Sequence, residues 1–342
     1  MLTSQPGHDS PTTSSTRVGL VGAGGIAPSH VTAWRDLGIE VINFAEQGSA
    51  ELCERFGLTS VGSLDELLAQ VDVVDVSTPT PSHHPIAMAA FAAGKHVVTE
   101  KPLARTSEQA REMITAARAA GVQLHVTHVV RYFPAYASAE QAIRAGQLGQ
   151  IAVQRHMRCG NRPDRGWFAD AVASGGIVMD LMIHDIDFAR WTAGEVVQVF
   201  ARETDSLADP QAAAHAHVVL THASGAVSEC TANWRRGARF GTQFTIAGAG
   251  GTLSHHSLAD PPFVLDELPT EDGSGRFAPS TPMAAVPHAQ AIAEIHTSLT
   301  GGPEPRVTAA DGLAALLISE AAAESVRTGA PIAVPSIEEV VA

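Results

Sequence analysis

The sequence predicts an α/β protein of two domains, in which a doubly wound parallel sheet precedes an α+β domain with a mostly antiparallel, open sheet. From Arg17 onward, short β-branched runs alternate with longer Ala- and Leu-rich stretches of helical period, which is typical of βαβ units. After about Phe133 the pattern changes to strands that alternate with period two. A length of 342 residues also suits two domains better than one.

The domain boundaries follow from these changes along the chain. We expect a disordered tail at residues 1–16, the parallel-sheet domain at residues 17–134 and the second domain at residues 135–342. The tail is rich in Ser, Thr and Pro, and it lacks the charged start and the apolar run of a signal peptide.

The first domain is predicted to contain five strands and five helices. Its strands are short apolar or β-branched runs at Arg17–Val21, Glu40–Phe44, Val73–Ser77, His96–Thr99 and Gln123–Val126. Its helices have an amphipathic period and are predicted at Ile26–Asp36, Ala50–Phe56, Leu64–Ala69, Pro85–Ala93 and Ser107–Ala120.

The second domain begins with a helix and continues with strands. The helix is predicted at Tyr136–Ala145, and two late helices are predicted near Ala289–Leu299 and Ala309–Arg327. Its strands are predicted at Ile151–Arg158, Val196–Arg202, His215–Thr221, Ala226–Asn233, Gln243–Ala247 and Gly251–His255. The segment Asp260–Pro287 is rich in Pro, Asp, Glu and Ser, so we expect a long surface loop there.

Composition excludes several classes of function. Lys and Arg total 22 against 36 Asp and Glu, a net charge of −14, so nucleic acid is not an expected partner. No apolar run approaches the roughly 20 residues that a membrane span needs, so no membrane association is expected. The three cysteines, Cys53, Cys159 and Cys230, have no CxxC spacing, which favours a reducing, cytoplasmic location.

The sixteen histidines raise the question of a metal site. Pairs lie close together in the sequence at His83/His84, His125/His128, His215/His217 and His255/His256. None of these pairs has a third nearby ligand at a known spacing, so we expect no metal.

A glycine-rich loop follows the first strand directly and precedes a helical pattern. It consists of Gly22, Ala23, Gly24, Gly25, Ile26 and Ala27. Such a GxGxxA turn lets backbone N–H groups approach a pyrophosphate at the helix N-terminus, as in the Rossmann fold. Glu46 lies about 20 residues farther on, where a carboxylate can accept hydrogen bonds from the adenosine ribose. Because no Arg or Lys is adjacent to pair with a 2′-phosphate, we expect NAD to be preferred over NADP.

Four further segments, in order, resemble the Gfo/Idh/MocA family, the glucose–fructose oxidoreductase and inositol dehydrogenase group. They are Val76–His83, Thr99–Ala104, Gly175–Asp187 and Glu320–Gly329. The resemblance implies a Rossmann domain, an NAD-dependent sugar or inositol dehydrogenase activity, and a second-domain sheet that packs against another subunit in a homodimer or homotetramer.

The residues themselves suggest a catalytic group. In Asp180, His184 and Asp187 the offsets of four and three place the side chains on one face of a helix, where a carboxylate can orient the His as a proton acceptor. Lys101 lies between an apolar strand and Pro102, so its ammonium group is expected to be confined and able to stabilise a developing alkoxide. An ordinary His–Asp hydrogen bond and an exposed Glu100–Lys101 ion pair are the alternatives.

The resemblance implies further positions. Ser77, Thr78, Pro79 and His83 should line the nicotinamide side of the cleft, with Glu100 near the ribose. Arg131 and Trp167 match places that often touch cofactor or substrate, and the Lys101–Pro102 bond is expected to be cis. Many relatives have Arg after that Trp, where this chain has Phe168, so that contact is in doubt. Substrate hydroxyls could be read by Asn161, Arg158, Arg162 and Arg165, although each could equally be a surface loop residue.

The sequence therefore predicts an NAD-dependent oxidoreductase that acts on a secondary hydroxyl of a sugar, an inositol or a sugar derivative. In this interpretation Lys101 polarises the reacting oxygen, His184 takes its proton and Asp180 orients the site, and all three contact the substrate. Two alternatives stay open. The chain could use tightly held NAD in a redox-neutral lyase or glycosidase reaction, or it could bind NAD(P) as a non-catalytic sensor.

Overall fold

The computed structural model describes residues 16–161, 166–204, 214–235, 238–259, 263–267 and 287–337. Most of the predicted tail, residues 1–15, and the candidate substrate residues Arg162 and Arg165 lie outside these ranges. Within them, no helix has the length and apolar character that crossing a bilayer demands.

The first sheet has six parallel strands in the order β3-β2-β1-β4-β5-β6. The strands are β1 (Arg17–Val21), β2 (Glu40–Phe44), β3 (Thr59–Ser60), β4 (Val73–Val76), β5 (His96–Glu100) and β6 (Leu124–Thr127). The order reverses between β1 and β4, which is the switch point where ligands bind in doubly wound sheets. The glycine loop, Ser77 and Lys101 follow β1, β4 and β5, so all three lie at the carboxyl edge of the sheet.

Five helices cover this sheet on both faces. They are α1 (Ala27–Asp36), α2 (Ser49–Phe56), α3 (Leu64–Leu68), α4 (His83–Ala92) and α5 (Ser107–Ala120). Local signals fix the ends of α5, because the Thr106 side chain accepts a hydrogen bond from Gln109 N and Gly121 ends the helix at φ 66°.

The second sheet has eight strands in the order β13-β12-β11-β7-β10-β9-β8-β14 among the described residues. They are β7 (Ile151–Gly160), β8 (Val196–Thr204), β9 (Ala214–His222), β10 (Val227–Trp234), β11 (Gly241–Gly248), β12 (Gly251–His256), β13 (Phe263–Glu267) and β14 (Ile332–Ala333). Only the β7–β10 pair is parallel in this part of the chain, which confirms the mostly antiparallel sheet.

One expectation for this domain is wrong. We expected a loop throughout Asp260–Pro287, but Phe263–Glu267 forms β13 and pairs antiparallel with β12. The edge strand Gly251–His256 offers unpaired backbone groups, and pairing with them overrides the weak strand signal of the segment.

The remaining helices are α6 (Pro134–Arg144), α7 (Gly166–Ala169), α8 (Ala171–Ser174), α9 (Ile183–Ala193), α10 (Pro287–Leu299) and α11 (Ala309–Thr328). All helices and strands predicted from the sequence, that loop aside, are confirmed to within two residues at each end. Helix α10 packs on α1, and its Ile292 and Ile295 are buried with Val31 and Trp34 of the first domain. The boundary at residue 135 stays a prediction, since the chain returns to the first domain near its end.

Candidate active site

The glycine loop passes very close to the neighbouring strand. Gly22 has φ 114°, and a Cβ at this position would lie 2.7 Å from the carbonyl oxygen of Ser77. Gly22 N donates to Phe44 O at 2.8 Å, and Asn43 Nδ2 donates to Gly22 O at 3.0 Å. A side chain at Gly22 would therefore push the loop away from β4 and change its path.

The loop leads into a helix N-terminus that suits an anion. Helix α1 begins at Ala27, has Pro28 in its first turn and has no acidic residue there, while Gly24 and Gly25 are exposed. Ala27 N and Ser29 N donate to Gly24 O and Ile26 O, so the exposed glycines of the loop and the helix dipole are what fits a pyrophosphate. Ala23, Ile26 and Ala27 complete the turn. The residues present thus fit a dinucleotide.

Glu46 lies where the sequence predicts the ribose contact. It follows the end of β2 by two residues and is exposed. The adjacent Gln47 and Gly48 are exposed as well and carry no positive charge. This edge of the pocket therefore offers a carboxylate and no cation for a 2′-phosphate.

Lys101 reaches across the cleft to the second domain. Its Nζ donates to the backbone oxygen of Asp180 at 2.7 Å and lies 3.4 Å from Asp180 Oδ1. The Lys101 and Asp180 side chains are 17% and 14% exposed, so the pair is confined but still reachable. The Lys101–Pro102 peptide bond is cis, as the resemblance implied. The alternative of an exposed Glu100–Lys101 pair is not what the structure shows, because the Glu100 carboxylate faces other partners.

His184 stands at the start of α9, directly after a π-helical turn, Val178–Met182, that carries Asp180. Such turns are frequent at functional sites. His184 Nδ1 is buried without a hydrogen-bond partner among the described residues. Burial, and then the positive charges of Lys101 and Arg158, hold the pKa of His184 well below its usual value. The ring is therefore a neutral base at physiological pH.

The third member of the predicted group, Asp187, does not orient His184. Asp187 is buried and accepts hydrogen bonds from Arg131 Nε at 2.8 Å and Nη2 at 2.6 Å. Arg131 also pairs with Asp311 and donates to Arg306 O. The Arg131 guanidinium is thus buried and held by these partners, and the cofactor contact that the resemblance implies for Arg131 stays a prediction. A buried guanidinium is costly unless it is paired and hydrogen-bonded, and these carboxylates supply that pairing.

We expect Asp187→Ala to destabilise the protein. The change leaves the Arg131 cation buried with only Asp311 as an anionic partner, and breaking such a pair costs about 3–5 kcal/mol, the retained Asp311 contact favouring the lower end. The measurement is the midpoint of urea unfolding followed by tryptophan fluorescence. The matched control is Glu324→Ala, which removes an exposed pair with Arg327 and should leave the midpoint unchanged. Equal midpoints for the two variants would contradict the role given to Asp187.

His83 ties the loops after β4 and β5 together. Its Nδ1 lies 2.9 Å from Pro102 O, and its Nε2 lies 3.0 Å from Thr78 O. Burial lowers the pKa of His83 below its usual value, against the effect of the two carbonyl oxygens. Thr78 Oγ1 is buried without a hydrogen-bond partner in the described structure, so this hydroxyl is available to a bound ligand. Ser77 is buried, whereas Pro79 is exposed at the rim.

Glu100 is turned into the first domain, and its place near the ribose stays a prediction. Its carboxylate accepts hydrogen bonds from His30 Nε2 at 3.1 Å and from Thr127 Oγ1 at 2.6 Å. These donors, and above all the hydrogen bond and charge of His30, lower the pKa of Glu100 to about 2 against the effect of burial. No sequence signal indicated His30, because its partners lie 45 and 70 residues away in the chain.

The other candidate positions are less central. Trp167 is half-buried and stacks on Phe168, with ring centroids 3.8 Å apart. Asn161 is exposed. Arg158 is buried in β7 and pairs with Asp185 through Nε at 2.9 Å and Nη2 at 2.8 Å, so it is not a surface loop residue.

His128 also carried no sequence signal for this site. It is fully buried, stands edge-on to His184 with ring centroids 6.4 Å apart, and has no hydrogen-bond partner for either ring nitrogen in the described structure. Burial lowers the pKa of His128 below its usual value.

Comparison with known proteins agrees with this geometry. Residues 16–128 match the model described as "Oxidoreductase family, NAD-binding Rossmann fold", and residues 136–254 match the Gfo/Idh/MocA C-terminal domain. A 1,5-anhydro-D-fructose reductase of Ensifer adhaerens is 31% identical, with 92% of this chain and 97% of the relative covered. The chain belongs to the Gfo/Idh/MocA family. It is an oxidoreductase with an NAD-binding Rossmann domain.

Two further members of the Gfo/Idh/MocA family are similar over nearly the whole chain. A D-apiose dehydrogenase of Paraburkholderia graminis is 30% identical, with 93% of this chain and 90% of the relative covered. Among solved structures, the WlbA dehydrogenase from Bordetella pertussis in complex with NADH and UDP-GlcNAcA is 26% identical. Its TM-score is 0.80, and the match covers 94% of this chain and 99% of that chain. The two relatives that are at least 30% identical over nearly the whole chain are thus a reductase and a dehydrogenase named for sugars.

Proposed function

We propose that this Gfo/Idh/MocA protein oxidises a secondary hydroxyl of a sugar, an inositol or a sugar derivative with NAD, or reduces the corresponding ketone. The observation that carries the proposal is the contact of Lys101 with Asp180, one turn before His184, at the sheet edge to which the glycine loop also belongs. The charge of Lys101 is also close enough to lower the pKa of His184. The reductase and dehydrogenase relatives support the substrate class.

The mechanism assigns one task to each side chain. Bound NAD supplies the acceptor for a hydride from the carbon that carries the hydroxyl. Lys101 Nζ donates a hydrogen bond to the reacting oxygen and stabilises the negative charge that develops on it. Because Nδ1 of His184 is enclosed by protein, Nε2 takes the hydroxyl proton. Asp180 holds Lys101 in place through the contacts at 2.7 and 3.4 Å.

The cofactor pocket has the remaining candidates in supporting roles. Gly22 to Ala27 hold the pyrophosphate, and Glu46 binds the adenosine ribose. The loops of Ser77, Thr78, Pro79 and His83, with Trp167 from the second domain, border the nicotinamide, and Asn161 borders the substrate. Glu100 supports this edge from beneath the pocket.

The assembly and location extend this proposal. The eight-stranded sheet offers a broad face on which a second copy can pack, in a homodimer or a homotetramer. The three cysteines are free thiols, in keeping with a cytoplasmic enzyme. Light scattering of the purified protein measures the assembly, and a monomer would contradict it.

The direct test is absorbance of reduced nicotinamide during turnover. The protein is mixed with NAD, and separately with NADP, across a panel of inositols, aldoses, anhydrosugars and sugar acids. Formation of NADH with one group of substrates supports the proposal. Product that forms without net NADH would instead show redox-neutral chemistry. Binding of NAD without any turnover would show a sensor.

In this proposal the preference for NAD over NADP depends on the Glu46 carboxylate. We expect the double change Glu46→Ser with Gln47→Arg to raise the ratio of kcat/KM for NADP over NAD by about 10- to 100-fold, since a charged hydrogen bond contributes about 1.5–3 kcal/mol. The ratio is measured from initial rates with each cofactor. Glu40→Ser, at the opposite end of β2, is the control. An unchanged ratio in the double variant would show that Glu46 does not contact the ribose.

A further inference from the structure

A buried charged group joins the glycine-loop helix to the strands that end at the active site. His30, one turn into α1, places Nδ1 at 3.0 and 2.9 Å from the two carboxylate oxygens of Asp75 on β4. Its Nε2 lies 3.1 Å from Glu100 Oε1 at the end of β5. His30 and Asp75 are fully buried, and Glu100 is 8% exposed.

The geometry defines the charge of this group. Both ring nitrogens of His30 face carboxylate oxygens, and only the imidazolium form has an N–H on each nitrogen. Burial opposes the charge, but the two carboxylates outweigh it and raise the pKa of His30 to about 10. Both partners have other donors too, since Trp34 Nε1 donates to Asp75 at 2.7 Å and Thr127 Oγ1 donates to Glu100 at 2.6 Å.

The group reaches the catalytic lysine through the backbone. Glu100 Oε2 accepts a hydrogen bond from the backbone N–H of Lys101 at 3.2 Å. The Lys101 Nζ in turn donates to Asp180 O. Because the Glu100 carboxylate holds the Lys101 backbone N–H, a shift of this carboxylate would displace the Lys101 backbone and with it the side chain. On the other side, the ring of His30 belongs to the helix whose N-terminus follows Gly25.

We propose that His30 is a positioning residue for the reaction: as a cation between two carboxylates, it holds the end of β5, and with it Lys101, in register with the glycine-loop helix. The inference rests on the proposed function for its effect on turnover. The charge state and the hydrogen bonds of His30 do not depend on which reaction the protein catalyses, so they can be measured without turnover.

A metal ion is the competing occupant of this position. The ligand atoms of His30, Glu100 and His288 lie within 4.8 Å of one another, and His288 Nε2 is 3.8 Å from Glu100 Oε1. A cation such as Zn²⁺ would require His30 to lose a proton and turn a free nitrogen toward it. The two N–H groups of the imidazolium already donate to both carboxylates, so the structure favours the protonated ring over a metal ion. Asp75, Glu100 and His288 are the titratable groups that face His30.

The test compares His30→Gln with His222→Gln. His222 is a buried histidine of the second domain with hydrogen-bonding partners at both nitrogens, Gly194 O and Ser228 Oγ, and it lies outside the site. Both changes should lower the unfolding midpoint. Well below that midpoint, only His30→Gln should lower kcat, by about 10- to 100-fold, as expected for a misplaced catalytic group. Unchanged kcat in His30→Gln would show a merely structural role.

Three further measurements test this inference, and the first and the third of them need no turnover. Long-range ¹H–¹⁵N NMR of the wild-type protein should show both nitrogens of His30 protonated up to about pH 9, whether or not any sugar is turned over; a neutral ring at pH 7 would overturn the proposal. The double variant His30→Gln with Glu100→Gln should be no less active than the less active of the two single variants, because both changes break the same interaction. Stoichiometric zinc in the purified wild-type protein, absent from His30→Gln, would also overturn it.

Discussion

Replacing Lys101 with methionine should lower kcat by about 10²- to 10³-fold, the usual cost of removing one preorganised donor to a developing oxyanion. Methionine keeps the length of the apolar stem, so the cleft keeps its shape while the charge is lost. The dissociation constant for NADH should stay nearly constant, because the glycine loop and α1 bind the pyrophosphate without Lys101. Steady-state rates and NADH fluorescence titration measure the two quantities.

The matched control is Lys95→Met, which precedes β5 at the amino edge of the sheet, opposite the site. It should leave both kcat and NADH binding unchanged. Equal losses of turnover and of NADH binding in Lys101→Met would show that the lysine holds the cofactor rather than the reacting oxygen.

Replacing His184 with glutamine should lower kcat for alcohol oxidation by about 10²- to 10⁴-fold, as expected when a general base is removed. Glutamine fills a similar volume and forms hydrogen bonds, but it cannot accept the proton. His222→Gln is again the control for loss of a buried imidazole elsewhere in the chain. An active His184→Gln variant would move the role of proton acceptor to another group.

The pH dependence gives a second test of His184. Burial and the nearby Lys101 cation hold its pKa below the usual value of 6.5, so the ring gains a proton only in more acidic solution. The kcat/KM for oxidation should therefore stay flat from pH 8 down to 6, whereas a histidine with its ordinary pKa would lose more than half of its activity there. An acidic limb centred near pH 6.5 would contradict this electrostatic environment.

Most of the fold could be predicted from the sequence, because its signals are local. The runs that form β1, β4 and β5 are apolar and bounded by turn residues, and the glycine loop follows β1 directly. Strand β13 was missed, since its formation depends on a partner edge rather than on its own composition.

The site could be predicted only in part, for the same reason. Lys101, Asp180 and His184 have distinctive neighbours in the sequence, and the structure brings Lys101 and Asp180 into contact. The partners of Arg131 and of His30 lie tens of residues away in the sequence and meet them only in the folded structure. No rule on residue spacing predicts such pairs. The guanidinium of Arg131 neutralises Asp187 and Asp311, and the cofactor role that the resemblance implies for Arg131 stays a prediction.

The packing of α10 on α1 has a consequence for biosynthesis. The ribosome releases the first domain well before α10, so a nascent chain that has just completed β6 leaves uncovered the part of α1 on which α10 packs. Val31 and Trp34 are already clustered with strand residues such as Val18 and Val73, and Ile292 and Ile295 of α10 complete their burial. Folding of the first domain is thus completed by a segment that is synthesised long after β6, and a chain shortened before α10 would expose an apolar helix face to chaperones.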